Sequence, residues 1–205
     1  MGPPKLLMAT NNAHKVAEFR RMLGEVGYRM VSPGELGLRL EVEEDADSFW
    51  ANAAQKAHAF AQASGLMSLA DDSGLEVDAL GGVPGVHSAR YGGLGLTDEG
   101  RMQLLLRRMQ GVPWEHRACR YRAALVIAWP HGRQEGFEGV CEGTVANEPA
   151  GTNGFGYDSI FYVPGSGQTM AQLTDTGKDA ISHRGHAARQ VAELLRPLAE
   201  AEQIQ

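Results

Sequence analysis

Cysteine is almost missing from this sequence: Cys119 and Cys141 are its only two in 205 residues. They show no metal-ligand spacing, and both fall in stretches that read as strands. Two reduced, buried thiols in a cytosolic protein are therefore expected. Basic charge is also short. Nineteen lysines and arginines against 25 acidic residues leave a net charge of −6. That balance affords no broad basic face, so a nucleic-acid polymer is not an expected partner; small phosphates need only a few local cations. Long apolar runs are missing too. None approaches the ~20 residues that span a bilayer. Polar and charged residues follow Met8 too soon for the apolar region of a signal peptide. The chain is expected to be soluble and cytoplasmic, with no membrane partner.

What is present is ordinary globular composition, 43% hydrophobic and 21% charged, with no internal repeat, low-complexity tract or linker. One domain over residues 1–205 is expected. The 26 glycines concentrate in residues 74–95 and 151–167. Residues 5–10 read as a buried strand. A helix from about Lys15 carries Val16, Phe19, Met22 and Leu23 at helical spacing. Ser48 is a suitable N-cap for an Ala-rich helix that reaches Ser64 and stops at Gly65. Residues 67–70 form a short strand ending in Asp71-Asp72-Ser73-Gly74. A third helix spans residues 97–109, two long strands run over residues 121–129 and 134–145, and another strand covers residues 160–163. The last helix begins near Ser182, with Val191, Leu194, Leu195 and Leu198 on one face. The alternation predicts an α/β unit with a mixed sheet.

Four segments carry chemistry. Thr10, Asn11, Asn12, Ala13, His14 and Lys15 form a polar turn between strand and helix. Open α/β sheets bind ligands there, because the first helical amides and the dipole attract anions and Lys15 adds a full charge. The GxxxxGK[ST] pattern of a P-loop is absent. The acidic pairs Glu43-Glu44 and Asp71-Asp72 suit Mg2+, which takes one or two carboxylates together with phosphate oxygens and water. Two aspartates before Ser-Gly are equally ordinary turn chemistry. Phe155, Gly156, Tyr157 and Asp158 set two aromatics among glycines, where a flat ring can approach the backbone. Lys178, His183 and Arg184 gather at what reads as a helix N-terminus. Cations are disfavoured there by the dipole, a local conflict that points to an anionic or carbonyl-rich ligand.

Read in order, these segments resemble the inosine/xanthosine triphosphate pyrophosphatases, enzymes of non-standard purine nucleotides. The resemblance rests on six motifs between Leu6 and Arg189: residues 10–15, residues 48–53 with Lys56, residues 70–75, residues 81–91, residues 155–158 and residues 181–185. It implies an elongated α/β fold with a long, mixed, twisted sheet and two lobes around a central substrate cleft, usually as a homodimer. It implies hydrolysis of ITP, dITP and XTP to the monophosphate and pyrophosphate with Mg2+. Residues 10–15 and Ser73 would hold the triphosphate, with Lys15 and Asp72 catalytic. Glu44 and Asp72 would bind the metal, and Asp72 would activate water for in-line attack on the α-phosphorus. Phe155, Gly156, Tyr157 and Asp158 would line the base and sugar pocket, while Lys178, His183 and Arg184 would recognise the purine.

The sequence departs from that pattern twice. Ala51 stands where the family commonly has glutamate, and Ser159 where it commonly has proline. The acidic segment is variable, so Glu43 is an alternative to Glu44. Two other functions compete: a Maf-type pyrophosphatase acting on modified pyrimidine or ordinary nucleotides, and a non-catalytic nucleotide-binding module. The segment around His183 favours the purine enzyme over the first, and the acidic pairs argue against the second.

Overall fold

A computed structural model describes residues 2–93 and 95–203, excluding the side chains of residues 202 and 203. Seven strands, β1 (Lys5–Met8), β2 (Arg29–Val31), β3 (Ser68–Val77), β4 (Ala118–Ala128), β5 (Gln134–Val145), β6 (Phe161–Val163) and β7 (Gln168–Thr169), form one sheet. Its order is β2-β1-β3-β4-β5-β6-β7. The pairings of β1 with β2 and β3 are parallel, with Leu6 opposite Met30 and Leu7 opposite Ser68. Those of β6 with β5 and β7 are antiparallel. The sheet is mixed, as the sequence predicts. Among the described residues five α-helices complete the fold: α1 (Ala13–Leu23), α2 (Phe49–Ser64), α3 (Asp98–Arg108), α4 (Asp175–Ile181) and α5 (His183–Gln203). No helix among the described residues is long and apolar enough to cross a membrane.

Local chemistry sets the helix ends. Asn12 caps α1, its side-chain oxygen accepting from the amides of His14 at 2.9 Å and Lys15 at 3.3 Å. The helix therefore starts two residues before Lys15, the start expected from apolar spacing alone. Ser48 caps α2 through the Ala51 amide, and Gly65 ends it at φ 68°, the left-handed conformation that glycine adopts without a Cβ clash. Thr97 caps α3 through Gly100.

Packing divides the chain into two compact units. One comprises residues through Asp72, Ala123–Gly139 and residues from Arg184 onward; the other comprises Ser73–Arg122 and Val140–His183. In the first, side chains alternate across the sheet. Leu6, Met8, Leu69, Leu125 and Ile127 pack with Val16, Phe19 and Leu23 of α1 and Ala188, Val191 and Leu195 of α5. The opposite face sets Leu7, Ala70, Ala124 and Val126 against Ala53, Ala57, Phe60 and Ala61 of α2. In the second unit Leu75, Val77, Leu105, Met109, Tyr121, Phe161 and Met170 share a core with Cys119 and Cys141. Both thiols are free and buried in strands, as expected.

Three expectations need correction. The strand expected over residues 67–70 continues as β3 to Val77, so Asp72 lies inside a strand rather than just after one. Asp-Asp-Ser-Gly has turn propensity, and sheet pairing overrides it. Residue 160 closes a short 3-10 turn, Asp158–Ile160, and β6 begins one residue later. Lys178 sits in the last turn of α4, where the dipole favours a cation; only His183 and Arg184 open α5.

Candidate functional site

The first cluster lies in the unit that contains α1, α2 and α5. Asp71 and Asp72 are consecutive in β3 and therefore project to opposite faces. On the α1/α5 face, Asp71 Oδ2 meets Lys15 Nζ at 2.7 Å and Arg184 Nε at 3.2 Å. Arg184 Nη1 also lies 3.2 Å from Glu18 Oε2, one helical turn beyond Lys15. Burial pushes the Asp71 carboxyl up, but the charges of Arg184 and Lys15 outweigh it and hold the group well below the usual carboxylate range. Burial pulls the Lys15 ammonium below the ordinary lysine range, a fall that Asp71 opposes.

On the α2 face, Asp72 is 6% exposed. Its Oδ2 accepts from Asn52 Nδ2 at 3.0 Å, and its Oδ1 lies 3.9 Å from Lys56 Nζ. Asn52 and Lys56 are one turn apart on α2, so the same helical face supplies both. Lys56 Nζ also lies 3.1 Å from Glu44 Oε1 and donates to the Asp71 carbonyl at 2.8 Å. One ammonium thus stands between two carboxylates. Burial raises the Asp72 carboxyl to about 6, despite the opposing charge of Lys56, and Glu44 adds to the rise. Glu43 is exposed whereas Glu44 is half-buried, so of the two, Glu44 is the one ion-paired with Lys56.

The polar turn before α1 is partly self-satisfied. Thr10 Oγ1 accepts from the Asn12 amide at 3.1 Å, and Asn12 occupies two of the first helical amides. Asn11 and His14 are exposed, Ala13 is the first residue of α1, and Ser73 follows Asp72 in β3, half-buried.

A second cluster occupies the other unit. Asp158 Oδ2 accepts from Lys178 Nζ at 2.6 Å and from the Phe155 amide at 2.9 Å, while its Oδ1 accepts from Tyr121 Oη at 3.1 Å. Lys178 Nζ lies 5.0 Å from the centre of the Phe155 ring, within cation–π range. The His183 ring stacks on Tyr121, centroids 4.6 Å apart. Tyr157 Oη donates to the Ser88 carbonyl at 2.9 Å, and burial pushes its phenol up. Gly156 donates its amide to Asp98 Oδ2 at 3.3 Å. Gly154 adopts φ 80°, and a Cβ there would collide with Asp158 Oδ2, so the loop favours glycine.

The structure gathers Lys15, Glu44, Asp72 and Arg184 in one cluster, and Phe155, Asp158, Lys178 and His183 in the other. Arg184, expected to recognise the purine, is seated on Asp71 and Glu18. Sequence reasoning assigned no role to Glu18, Asn52, Lys56 or Tyr121. Asn52 and Lys56 had a signal, two polar residues four apart in an Ala-rich helix. Glu18 stands three residues after Lys15, a helical neighbour. Tyr121 had none.

A sequence profile of the Ham1 family matches residues 6–194. The chain belongs to the Ham1 family. Among its Ham1 relatives is a dITP/XTP pyrophosphatase of Desulforamulus reducens, 48% identical over 95% of this chain and 96% of that protein. Another, from Bacillus subtilis, is 43% identical over 92% of this chain and 96% of its own length. A HAM1 protein from Coxiella burnetii has the same fold, with a TM-score of 0.85 and 36% identity over 94% of this chain and 98% of that one.

Among the described residues no group of three or more His, Cys, Asp or Glu side chains converges as it would around an ion held by protein alone. The Ham1 cluster suits a different arrangement. Glu44 and Asp72 already share one cation, Lys56, and two carboxylates, completed by phosphate oxygens and water, are the donor set Mg2+ prefers. The residues fit the ion.

Proposed function

We propose that this chain hydrolyses deaminated purine nucleoside triphosphates, ITP, dITP and XTP, to the monophosphate and pyrophosphate, removing them from the nucleotide pool of the cytoplasm. The observation that carries the reading is the buried carboxylate of Asp72, raised to about 6 and sharing Lys56 with Glu44. A group with that pKa is ionised at neutral pH yet basic enough to take a proton from water. The dITP/XTP pyrophosphatases that resemble it over nine-tenths of its length support the choice of substrate.

In this reading Asp72 is the general base, and Asn52 fixes its orientation through the bond to Oδ2. Water so oriented attacks the α-phosphorus in line, and pyrophosphate departs. Glu44 and Asp72 would hold Mg2+, which when bound lowers the charge repulsion at the phosphates. Lys15 supplies positive charge to the triphosphate chain, with residues 10–14 and Ser73 forming the polar surround. Arg184 and Asp71 hold Lys15 in place through the contacts at 3.2 and 2.7 Å. The three cations Lys15, Lys56 and Arg184 face four carboxylates, Glu18, Glu44, Asp71 and Asp72. An acidic balance of this kind repels a bare triphosphate, which supports a divalent cation as cofactor.

The base is assigned to the second cluster. Hypoxanthine and xanthine carry a 6-oxo acceptor where adenine has a 6-amino donor. Donors from Lys178 and His183 pair with the oxo group and are left unsatisfied by adenine, and such a difference can reach roughly 10⁴–10⁵ in kcat/KM. Phe155, Gly156 and Tyr157 give the flat ring a surface, and Asp158 holds Lys178 toward it. By resemblance the enzyme is a homodimer, which light scattering would check. A panel of nucleoside triphosphates with Mg2+, scored for pyrophosphate against orthophosphate, tests the whole reading. Pyrophosphate from ITP and XTP, with ATP poor, is expected. Equal kcat/KM for ATP and ITP, orthophosphate as product, or preference for modified pyrimidines would overturn it.

A further inference from the structure

Tyr121 belongs to the core of the second unit and is 6% exposed, yet three of its contacts tie it to the polar cluster and to one neighbouring ring. Its ring is near-parallel to Phe161, centroids 4.4 Å apart at 22°, and to His183, 4.6 Å apart at 18°. Two rings cannot share one face at those distances, so the phenol is sandwiched between them. Its hydroxyl donates to Asp158 Oδ1, and the other oxygen of that carboxylate takes Lys178 and the Phe155 amide.

Lys178, Asp158 and His183 are 3%, 4% and 3% exposed. Burying an ion pair beside an imidazole costs more than filling the space with apolar side chains, so stability alone gives no reason for the group. A phenylalanine at 121 would satisfy the core and both stacking contacts. The hydroxyl has a narrower effect: it occupies Oδ1 of Asp158 and so commits Oδ2 to Lys178 and Phe155. The ring in turn sets the plane in which His183 presents its nitrogens.

We infer that Tyr121 is a positioning residue for base selection, holding His183 through its ring and the Asp158–Lys178 pair through its hydroxyl. The inference rests on the reading of Lys178 and His183 as the donors to a 6-oxo purine. Tyr121 touches no reacting atom in this account. It fixes where two donors point, and a site that rejects adenine by leaving donors unpaired depends on their being unable to swing away.

Three proteins, wild type, Tyr121→Phe and Tyr121→Leu, are compared for pyrophosphate release from ITP and ATP with Mg2+, alongside proton NMR of the His183 ring. Tyr121→Leu is expected to raise KM for ITP and cut the ITP/ATP ratio of kcat/KM about tenfold or more, with kcat for ITP changed less than about threefold. Tyr121→Phe keeps the stack and loses one bond to a charged group, so its ratio falls by about three- to tenfold. The His183 ring protons, shifted upfield by the tyrosine face, stay there in Tyr121→Phe and move downfield in Tyr121→Leu. A merely structural role would lower thermal stability and kcat together and leave the ratio intact. A folded Tyr121→Leu with wild-type discrimination, or with unmoved His183 resonances, overturns the inference. Should Tyr121→Leu fail to fold, Tyr121→Phe decides, and an unchanged ratio in it counts against the inference. Wild-type protein that releases no pyrophosphate from ITP refutes the proposed function instead, a separate outcome.

Discussion

Asp71 and Asp72, neighbours in β3, send their carboxylates to opposite faces of the sheet and are displaced in opposite directions from the ordinary aspartate pKa. Asp71 has Lys15 and Arg184 against it and stays ionised. Asp72 has Lys56 at 3.9 Å, shared with Glu44, and although Lys15 and Asn52 also favour its charged form, burial prevails. Adjacent residues of one type thus sit in opposite environments: one is held ionised by cations, and the other, the base of the proposed mechanism, holds its proton more tightly.

The two shifts have opposite linkage signs. Asp72, raised from 3.8 to about 6, binds its proton more tightly folded than unfolded. Stability from this group is therefore highest below pH 3.8 and falls as pH rises through 6, by about 3 kcal/mol in all. Asp72→Asn should raise the melting temperature of the metal-free protein at pH 7.5 and leave it nearly unchanged at pH 4. Its pyrophosphatase rate should drop by at least about 10²-fold. Thermal melts in EDTA and a rate assay check both halves. A rate within tenfold of wild type would remove Asp72 from the chemistry.

Lys56 opposes the rise in the Asp72 pKa. Lys56→Gln should therefore move the acid limb of the kcat/KM profile to higher pH than in the wild type. A pH–rate series from 5 to 9 measures it. A limb that stays put or moves to lower pH would contradict the electrostatic coupling.

Arg184 is 6% exposed and bridges Asp71 and Glu18. Arg184→Leu leaves two buried carboxylates with less compensation and should cost about 3–5 kcal/mol. The double variant with Glu18→Leu should recover part of that loss, because one stranded charge goes with its partner. Denaturant melts of both singles and the double form the cycle, and simple additivity would argue against coupling.

The caps were legible in the sequence: Ser48 and Gly65 delimit α2 where spacing placed them, because a side-chain oxygen and a missing Cβ act locally. The continuation of β3 through Asp71-Asp72-Ser73-Gly74 was not, since those residues favour a turn and only neighbouring strands hold them extended. Strands as short as β2 and β7 show no period to detect. The acidic pairs and cationic segments announced the candidate site, but not its wiring. Arg184 meets Asp71 across 113 positions of chain, and nothing in the local pattern around either announces the other. Tyr121 reads as one more apolar position of β4 until its hydroxyl is placed.

Gly154→Ala should be far more damaging than its one methyl suggests. The residue adopts φ 80°, and the added carbon would collide with Asp158 Oδ2 and lie 3.0 Å from Lys178 Nζ. The backbone there is strained for any L side chain and the Asp158–Lys178 pair is displaced, so KM for ITP should rise at least tenfold with a smaller change in kcat. Steady-state kinetics on ITP decides it; kinetics equal to wild type would mean that Lys178 does not read the base.

The cap that Asn12 places on the start of α1 has a consequence for ligand capture. Two amides at the start of α1 already have a side-chain acceptor, so less ordering is left to be done there when an anion arrives. In the proposed reading, recognition at that end would come from charge rather than from moulding, and the choice among nucleotides would be made elsewhere.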